Sequence, residues 1–156
     1  MHTIRQGKIG GGESHVPSLV SRLNPKLFRS VVICFTDGPM LDALRTLKVD
    51  YQVIPTTTPF NLSIVPKVRS ILKQENADLI HAHGTRAASN IFISAAQLDL
   101  PWVYTVHGWS FHSDQNNLIS LLRRFSERLL TQRSSKNICV SHANENLGQR
   151  LYTIYW

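Results

Sequence analysis

Gly10-Gly11-Gly12-Glu13-Ser14-His15-Val16 stands between a short strand-like opening, residues 2–5, and a helical pattern in which Val16, Leu19, Val20 and Leu23 recur at i, i+3, i+4, i+7. Strand, glycine loop and amphipathic helix in that order begin an α/β fold. The glycines allow another molecule close to the backbone, because no side chain intervenes. The free N–H groups and positive dipole end of the helix favour an anion, typically phosphate. A plain tight turn before a helix uses glycine as readily, and the loop by itself does not separate the two readings. Pro17 bears on where the helix starts. With Ser14 as the N-cap, the proline falls in the first turn, where its missing N–H breaks no bond.

Outward from this loop the same alternation continues. Residues 29–35, 51–54, 78–81, 102–106 and 137–140 are short apolar, β-branched runs that read as buried strands. Between them, residues 40–47, 62–74, 87–97 and 118–130 carry apolar side chains at helical spacing. Alternating units of this length predict a Rossmann-like, doubly wound parallel sheet with helices on both faces. Right-handed crossovers predict the strand order 3-2-1-4-5-6. No internal repeat or linker divides residues 1–156, which read as one domain.

The bulk composition narrows the class. Hydrophobic residues make up 42% of 156 residues, enough for a globular core. No apolar run approaches the roughly 18 residues of a membrane-spanning helix. The amino end shows neither an h-region nor a cleavage site, so no signal peptide is expected. Cys34 and Cys139 each sit in an apolar β-type run, as small core hydrophobes do, which suits a reducing cytoplasm. Seventeen Lys and Arg against ten Asp and Glu give a net charge of +7. That balance implies acidic partners, whether nucleic acid, anionic lipid or phosphorylated ligand, without choosing among them.

In open α/β sheets, ligands bind outside the carboxyl ends of the strands, near the point where strand order reverses. Four polar turns fall there: the glycine run, His81-Ala82-His83-Gly84-Thr85, Thr105-Val106-His107-Gly108, and Ser141-His142. Gly10–Glu13 matches neither the dinucleotide fingerprint nor the Walker loop, which argues against an NAD(P) enzyme or an ATPase. His81 and His83 would share a face of a strand, yet no cysteine or carboxylate pattern completes a zinc site, and no metal is expected. His83 is expected to face the cleft while His81 packs or caps. His107, beside Gly108 at a strand end, can hydrogen-bond a sugar hydroxyl or a phosphate, act as a general base, or simply cap a turn. Neither cysteine has a histidine partner at a strand end, so nucleophilic catalysis has no support.

Residues 118–130 carry Leu118, Leu121, Leu122, Phe125 and Leu129 on one stripe, with Arg123, Arg124 and Arg128 against Glu127 alone. This is either an ordinary packed helix with a solvated basic face or one that lies weakly on an anionic membrane surface. The loop before it, residues 109–116, is long and polar with two aromatic residues, as acceptor-binding loops often are.

Taken together, these segments resemble the N-terminal domain of glycosyltransferase family 4, whose members are retaining GT-B enzymes with two Rossmann-like domains across a cleft. Gly10-Gly11-Gly12-Glu13-Ser14-His15-Val16 resembles the family's G-G-x-E-x-H-V loop. Asp78-Leu79-Ile80-His81-Ala82-His83-Gly84 is similar to its D-[IL]-I-H-x-H segment, and Thr105-Val106-His107-Gly108 to its T-x-H-[GD] strand end. Ile138-Cys139-Val140-Ser141 resembles the closing V-S strand. The resemblance implies a nucleotide-sugar as donor substrate, with no NAD, no other cofactor and usually no essential metal. It implies that Gly10, Gly11 and Gly12 approach the donor diphosphate, and that His107 is catalytic, at the reaction centre. His83, Gly84, Gly108, Trp109 and Ser141 would line the acceptor side of the cleft. The partners implied are a glycan or lipid-linked acceptor, as in polysaccharide biosynthesis, and no nucleic acid. The expected location is cytoplasmic, peripheral on the membrane face if Arg123, Arg124 and Arg128 make their contact.

The departures from the family set a second expectation. The nucleotide pocket, the basic grip on the diphosphate and the paired glutamates of the C-terminal donor-binding domain have no counterpart after Ser141. Glu13 is not one of that pair and is expected only to stabilise its loop. The chain therefore reads as the acceptor-side half of an enzyme, inactive by itself. Two other readings stand beside it. One is a non-catalytic Rossmann-like binding module, and the other, resting only on +7, is a basic nucleic-acid binder.

Overall fold

The computed structural model describes residues 1–5, 11–111 and 116–152. Among these, strands and helices alternate: β1 (His2–Ile4), α1 (Gly11–Arg22), β2 (Val31–Cys34), α2 (Met40–Thr46), β3 (Asp50–Val53), α3 (Val65–Gln74), β4 (Ile80–His83), α4 (Thr85–Gln97), β5 (Trp102–Val106), α5 (Asn117–Arg133), β6 (Lys136–Cys139) and α6 (His142–Tyr152). A single 3₁₀ turn, Leu62–Ile64, leads into α3, with the Asn61 side chain accepting from the Ser63 N–H.

The sheet is wholly parallel, in the order β3-β2-β1-β4-β5-β6 predicted from the alternation. β1 is central although it is only three residues long, and all three are buried. Its neighbours diverge from it, the chain winding to β2 and β3 on one side and to β4, β5 and β6 on the other. The reversal therefore lies between β1 and β4, where His2 faces His81 and Ile4 faces His83 in register.

Alternation along the strands sorts side chains to two faces. Ile33, Phe35, Ile80, Ala82, Trp102, Tyr104 and Val106 join the larger core with Val68, Ile71, Leu72, Ala87, Ala88, Ile91 and Leu130 from α3, α4 and α5. Ile4, Val32 and Cys34 join the smaller core with Val16, Val20, Met40, Leu41 and Leu44 from α1 and α2. Both cysteines are free, and Cys34 is buried while Cys139 is half-buried. Burial pushes the Cys34 thiol up to about 12 and the Cys139 thiol up to about 11, so both stay protonated.

Three elements differ from the sequence reading. α1 begins at Gly11, ahead of Ser14, so Pro17 lies past its first turn. A proline there leaves the carbonyl four residues earlier without its helical partner. α6 has no counterpart in the sequence reading, because its residues, His-Ala-Asn-Glu-Asn-Leu-Gly-Gln-Arg-Leu-Tyr, include few apolar side chains to set a period. It is anchored instead by its start, where the Ser141 carbonyl accepts from the Glu145 N–H and the Ser141 hydroxyl from the Asn144 N–H. In α5 the apolar stripe does not face the core: Glu127, Leu130 and Thr131 are its buried residues, while Leu118, Leu121, Leu122 and Phe125 are exposed.

Candidate active site

Because every strand is parallel, the carboxyl ends share one rim, and the predicted strand-end residues emerge there. His83 ends β4, Gly84 follows it, His107 and Gly108 follow β5, and Ser141 follows β6. Gly11 and Gly12 open α1, and Gly10 lies outside the described residues. The first turns of α1 reach His107 directly, since the His15 ring meets the His107 ring edge-on at 5.3 Å between centroids.

The rim is built on a layer of histidines along the α1 face of the sheet. The His81 and His83 rings lie tilted at 4.1 Å between centroids, His2 lies 5.6 Å from His81 and stacks on His83 at 5.7 Å, and His83 lies 5.9 Å from His107. Strand register brings them together, because residues i and i+2 of β4 share a face with the paired position of β1. His2 Nδ1 sits 3.4 Å from His83 Nε2, and His81 Nε2 sits 2.7 Å from Thr105 Oγ1. Desolvation holds these rings neutral. It lowers His2 to about 3 and His81 to about 4, and with neighbouring rings it drives His83 far below the ordinary histidine range. His83 is 3% exposed, so it forms the floor beneath the rim instead of opening into the cleft. His2, His81 and His83 place ring nitrogens within 4.8 Å of one another, the grouping among the described residues that could hold a metal ion.

Gly84 sits at the reversal point with φ of +80°, a conformation that favours glycine. Its N–H bonds the Thr105 carbonyl, and no side chain caps the α4 helix that begins behind it. Arg86 lies in the first turn of α4. Burial and the nearby Arg5 lower its pKa, and its Nη1 is buried without a hydrogen-bond partner. At Gly108 an added Cβ would meet nothing within 4 Å, which leaves open space over the rim.

The segment after His107 is pinned rather than open. Trp109 is buried, not in the cleft: it packs on Phe111 and Tyr152 and donates its indole N–H to the Asn144 carbonyl at 3.0 Å. Glu127 of α5 is fully buried and accepts from Tyr104 Oη (2.8 Å), Thr85 Oγ1 (2.7 Å) and the Ser110 N–H (3.1 Å). One carboxylate thus ties β5, the start of α4 and the post-His107 loop to α5. Ser141 is exposed and spends its hydroxyl on the α6 cap, while His142 is solvent-facing beside Glu145 and outside the histidine layer. Arg123, Arg124 and Arg128 are exposed on α5.

Sequence reasoning missed His2, His15, Arg86 and the structural role of Glu127. The signal for His2 was available, since the predicted order puts the first strand beside the fourth. An apolar cavity of about 680 Å³, lined by Leu19, Leu23, Leu27, Phe28 and Leu79, lies toward the amino ends of the strands, away from this rim.

A parallel sheet of this order, with an uncapped glycine-led helix and a histidine at neighbouring strand ends, has its counterpart among known proteins. The sequence profile of Glycosyltransferase Family 4 matches residues 9–155. The chain belongs to glycosyltransferase family 4. It is 26% identical to the Escherichia coli UDP-Gal:alpha-D-GlcNAc-diphosphoundecaprenol alpha-1,3-galactosyltransferase over 74% of the chain and 31% of that protein. In structure it is similar to a glycosyltransferase from Rickettsia africae (TM-score 0.78, 15% identity, 99% of the chain and 39% of the other). Anabaena Alr3699/HepE, solved with UDP and glucose, aligns with a TM-score of 0.74 at 21% identity over 96% of the chain and 40% of its own. This family 4 chain thus spans about a third to two fifths of the length of these relatives. No helix among its described residues is long and apolar enough to cross a membrane.

Proposed function

We propose that this family 4 chain is the acceptor-side domain of a retaining glycosyltransferase that moves a hexose from a nucleotide-sugar to a glycan or lipid-linked acceptor. The observation that carries the reading is the meeting of α1's amino-terminal turns with His107 on one rim, in a chain of this family. The E. coli relative's name, a galactosyltransferase acting on a diphosphoundecaprenol-linked sugar, supports a lipid-linked acceptor. The donor is a substrate, and neither a cofactor, a metal nor nucleic acid enters this scheme.

Transfer breaks the bond between the sugar's anomeric carbon and the diphosphate and forms one to an acceptor oxygen. The acceptor's proton leaves with the diphosphate. Negative charge grows on the diphosphate and positive charge on the sugar ring. The N–H groups and dipole of α1, led by Gly10–Gly12, favour the first. Arg5 and Arg86 add cationic field at the reversal point, and the buried Arg86 Nη1 gains a partner from an anion there. His107 contacts the donor sugar, while Gly84 and Gly108 leave room for acceptor hydroxyls. A second domain supplies the nucleotide pocket. The enzyme works peripherally on the cytoplasmic membrane face, with Arg123, Arg124 and Arg128 toward anionic lipid.

The test is His107→Ala in an enzyme carrying both domains. Turnover of sugar-nucleotide to glycosylated acceptor should fall by about a hundredfold or more, with thermal unfolding unchanged. Near-normal turnover would return His107 to a turn-capping role.

A further inference from the structure

The two central strands bring three imidazoles together on one face of the sheet. His2 of β1 faces His81 of β4 in register, and His83 lies two residues further along the same face of β4. One ring nitrogen from each falls within 4.8 Å of the other two, a grouping of three ligand atoms found once among the described residues. His2 Nδ1 and His83 Nε2 are 3.4 Å apart. Two nitrogens bound at about 2.0–2.1 Å to one tetrahedral ion stand about 3.4 Å from each other, so this pair already has the spacing of ligands that share a metal. His83 is 3% exposed, and its Nδ1 is buried without a hydrogen-bond partner, so the ring has a nitrogen that no protein group uses. His81 Nε2 lies 2.7 Å from Thr105 Oγ1. A His81 that donates this N–H keeps its Nδ1 lone pair for an ion, and such a second bond is what orients a ligand ring.

We propose that His2, His81 and His83 form a three-histidine site for zinc, with water in the fourth position. The donor set fits, because three imidazoles and one open place are a known zinc coordination. Magnesium and calcium take oxygen ligands and would not be held here. The ion also has a way in, since His2 and His81 both line the cavity of about 680 Å³ at the amino ends of the strands. Its wall carries Glu75 and Asp78 against Arg29 and the Met1 ammonium, so the formal charges balance and a cation is not repelled. All three ligands stand on paired strands, which place them more precisely than loops would. Bound there, zinc cross-links β1 to β4 and ties down a central strand only three residues long. The site lies outside the transfer scheme and does not rest on the transferase reading.

Metal-stripped chain, titrated with zinc chloride by calorimetry and with cobalt chloride by visible absorption, tests the proposal. One equivalent of zinc should bind, raise the unfolding temperature and displace cobalt, whose bands should be those of a four-coordinate ion. Magnesium chloride should do none of these. His81→Gln should weaken zinc binding by about a hundredfold or more, and Thr105→Val by about tenfold through the lost orienting bond. His142→Ala should leave it unchanged, although His142 pairs with Glu145 in solvent. Absence of one-equivalent binding, a six-coordinate cobalt spectrum, or binding that survives His81→Gln and vanishes with His142→Ala overturns the proposal. The stoichiometry and the cobalt spectrum are read on the unaltered chain, so they decide the matter even where a variant fails to fold.

Discussion

A histidine buried among histidines can exist only as the neutral ring, and this governs how the protein answers acid. His2 and His81 are held at about 3 and about 4, and His83 lower still, while in the unfolded chain each titrates near 6.5. Unfolding below that value takes up protons that the folded state refuses. Stability is thus fully present above about pH 6.5 and is lost as the pH falls toward 4. With three such rings the slope approaches about 4 kcal/mol per pH unit once the unfolded rings are fully charged. Urea unfolding followed between pH 7 and pH 4.5 should show this loss, and His81→Gln should make it shallower. A profile flat to pH 5 would mean the layer is hydrated. His81, His83 and His107 were legible in the sequence because each stands at the end of an apolar run. His2 was legible only through the predicted strand order, which sets the first strand beside the fourth and so His2 beside His81.

Among the elements, α5 shows how far a period can mislead. The spacing of Leu118, Leu121, Leu122 and Phe125 announces a helix correctly, and the helix is there. The same spacing says nothing of which side the sheet takes, and the buried side is chosen by Glu127 and its three donors. Glu127→Ala should therefore cost about 3 kcal/mol, since it strands Tyr104 Oη, Thr85 Oγ1 and the Ser110 N–H in the interior. Chemical denaturation measures the loss, and Glu127→Gln should recover part of it. If the alanine variant is as stable as the parent, the carboxylate is not what orients the helix. Elsewhere the elements read well where apolar residues dominate, as in β2 and α3. They read poorly where the termini are set by hydrogen bonds, as at the Ser141 cap of α6.

Over the whole molecule, strand order followed from alternation and handedness, both of which are properties of chain winding and not of particular side chains. What the sequence could not convey was which side chains would fill the rim, because burial of Trp109 and His83 depends on neighbours distant in the chain. In the proposed transferase the rim is one wall of a cleft, and affinity in a cleft comes from both. The 156-residue chain should fold cooperatively yet give no calorimetric signal with UDP-sugars at micromolar concentration, because water screens each contact that a second wall would shield. Sub-micromolar binding, or transfer by this chain by itself, would show that the site is complete within it.

The three-residue β1 at the centre of the sheet carries a cost during synthesis. β1 needs β4 as its second partner, yet residues 5–79 must leave the ribosome between them. At 5–20 residues per second that interval lasts roughly 4–15 s. Throughout it the nascent chain presents one unpaired edge of a strand that is buried throughout in the folded protein, the kind of surface that invites wrong pairing. Within this sheet the central strand is thus made early and completed late, only when β4 arrives.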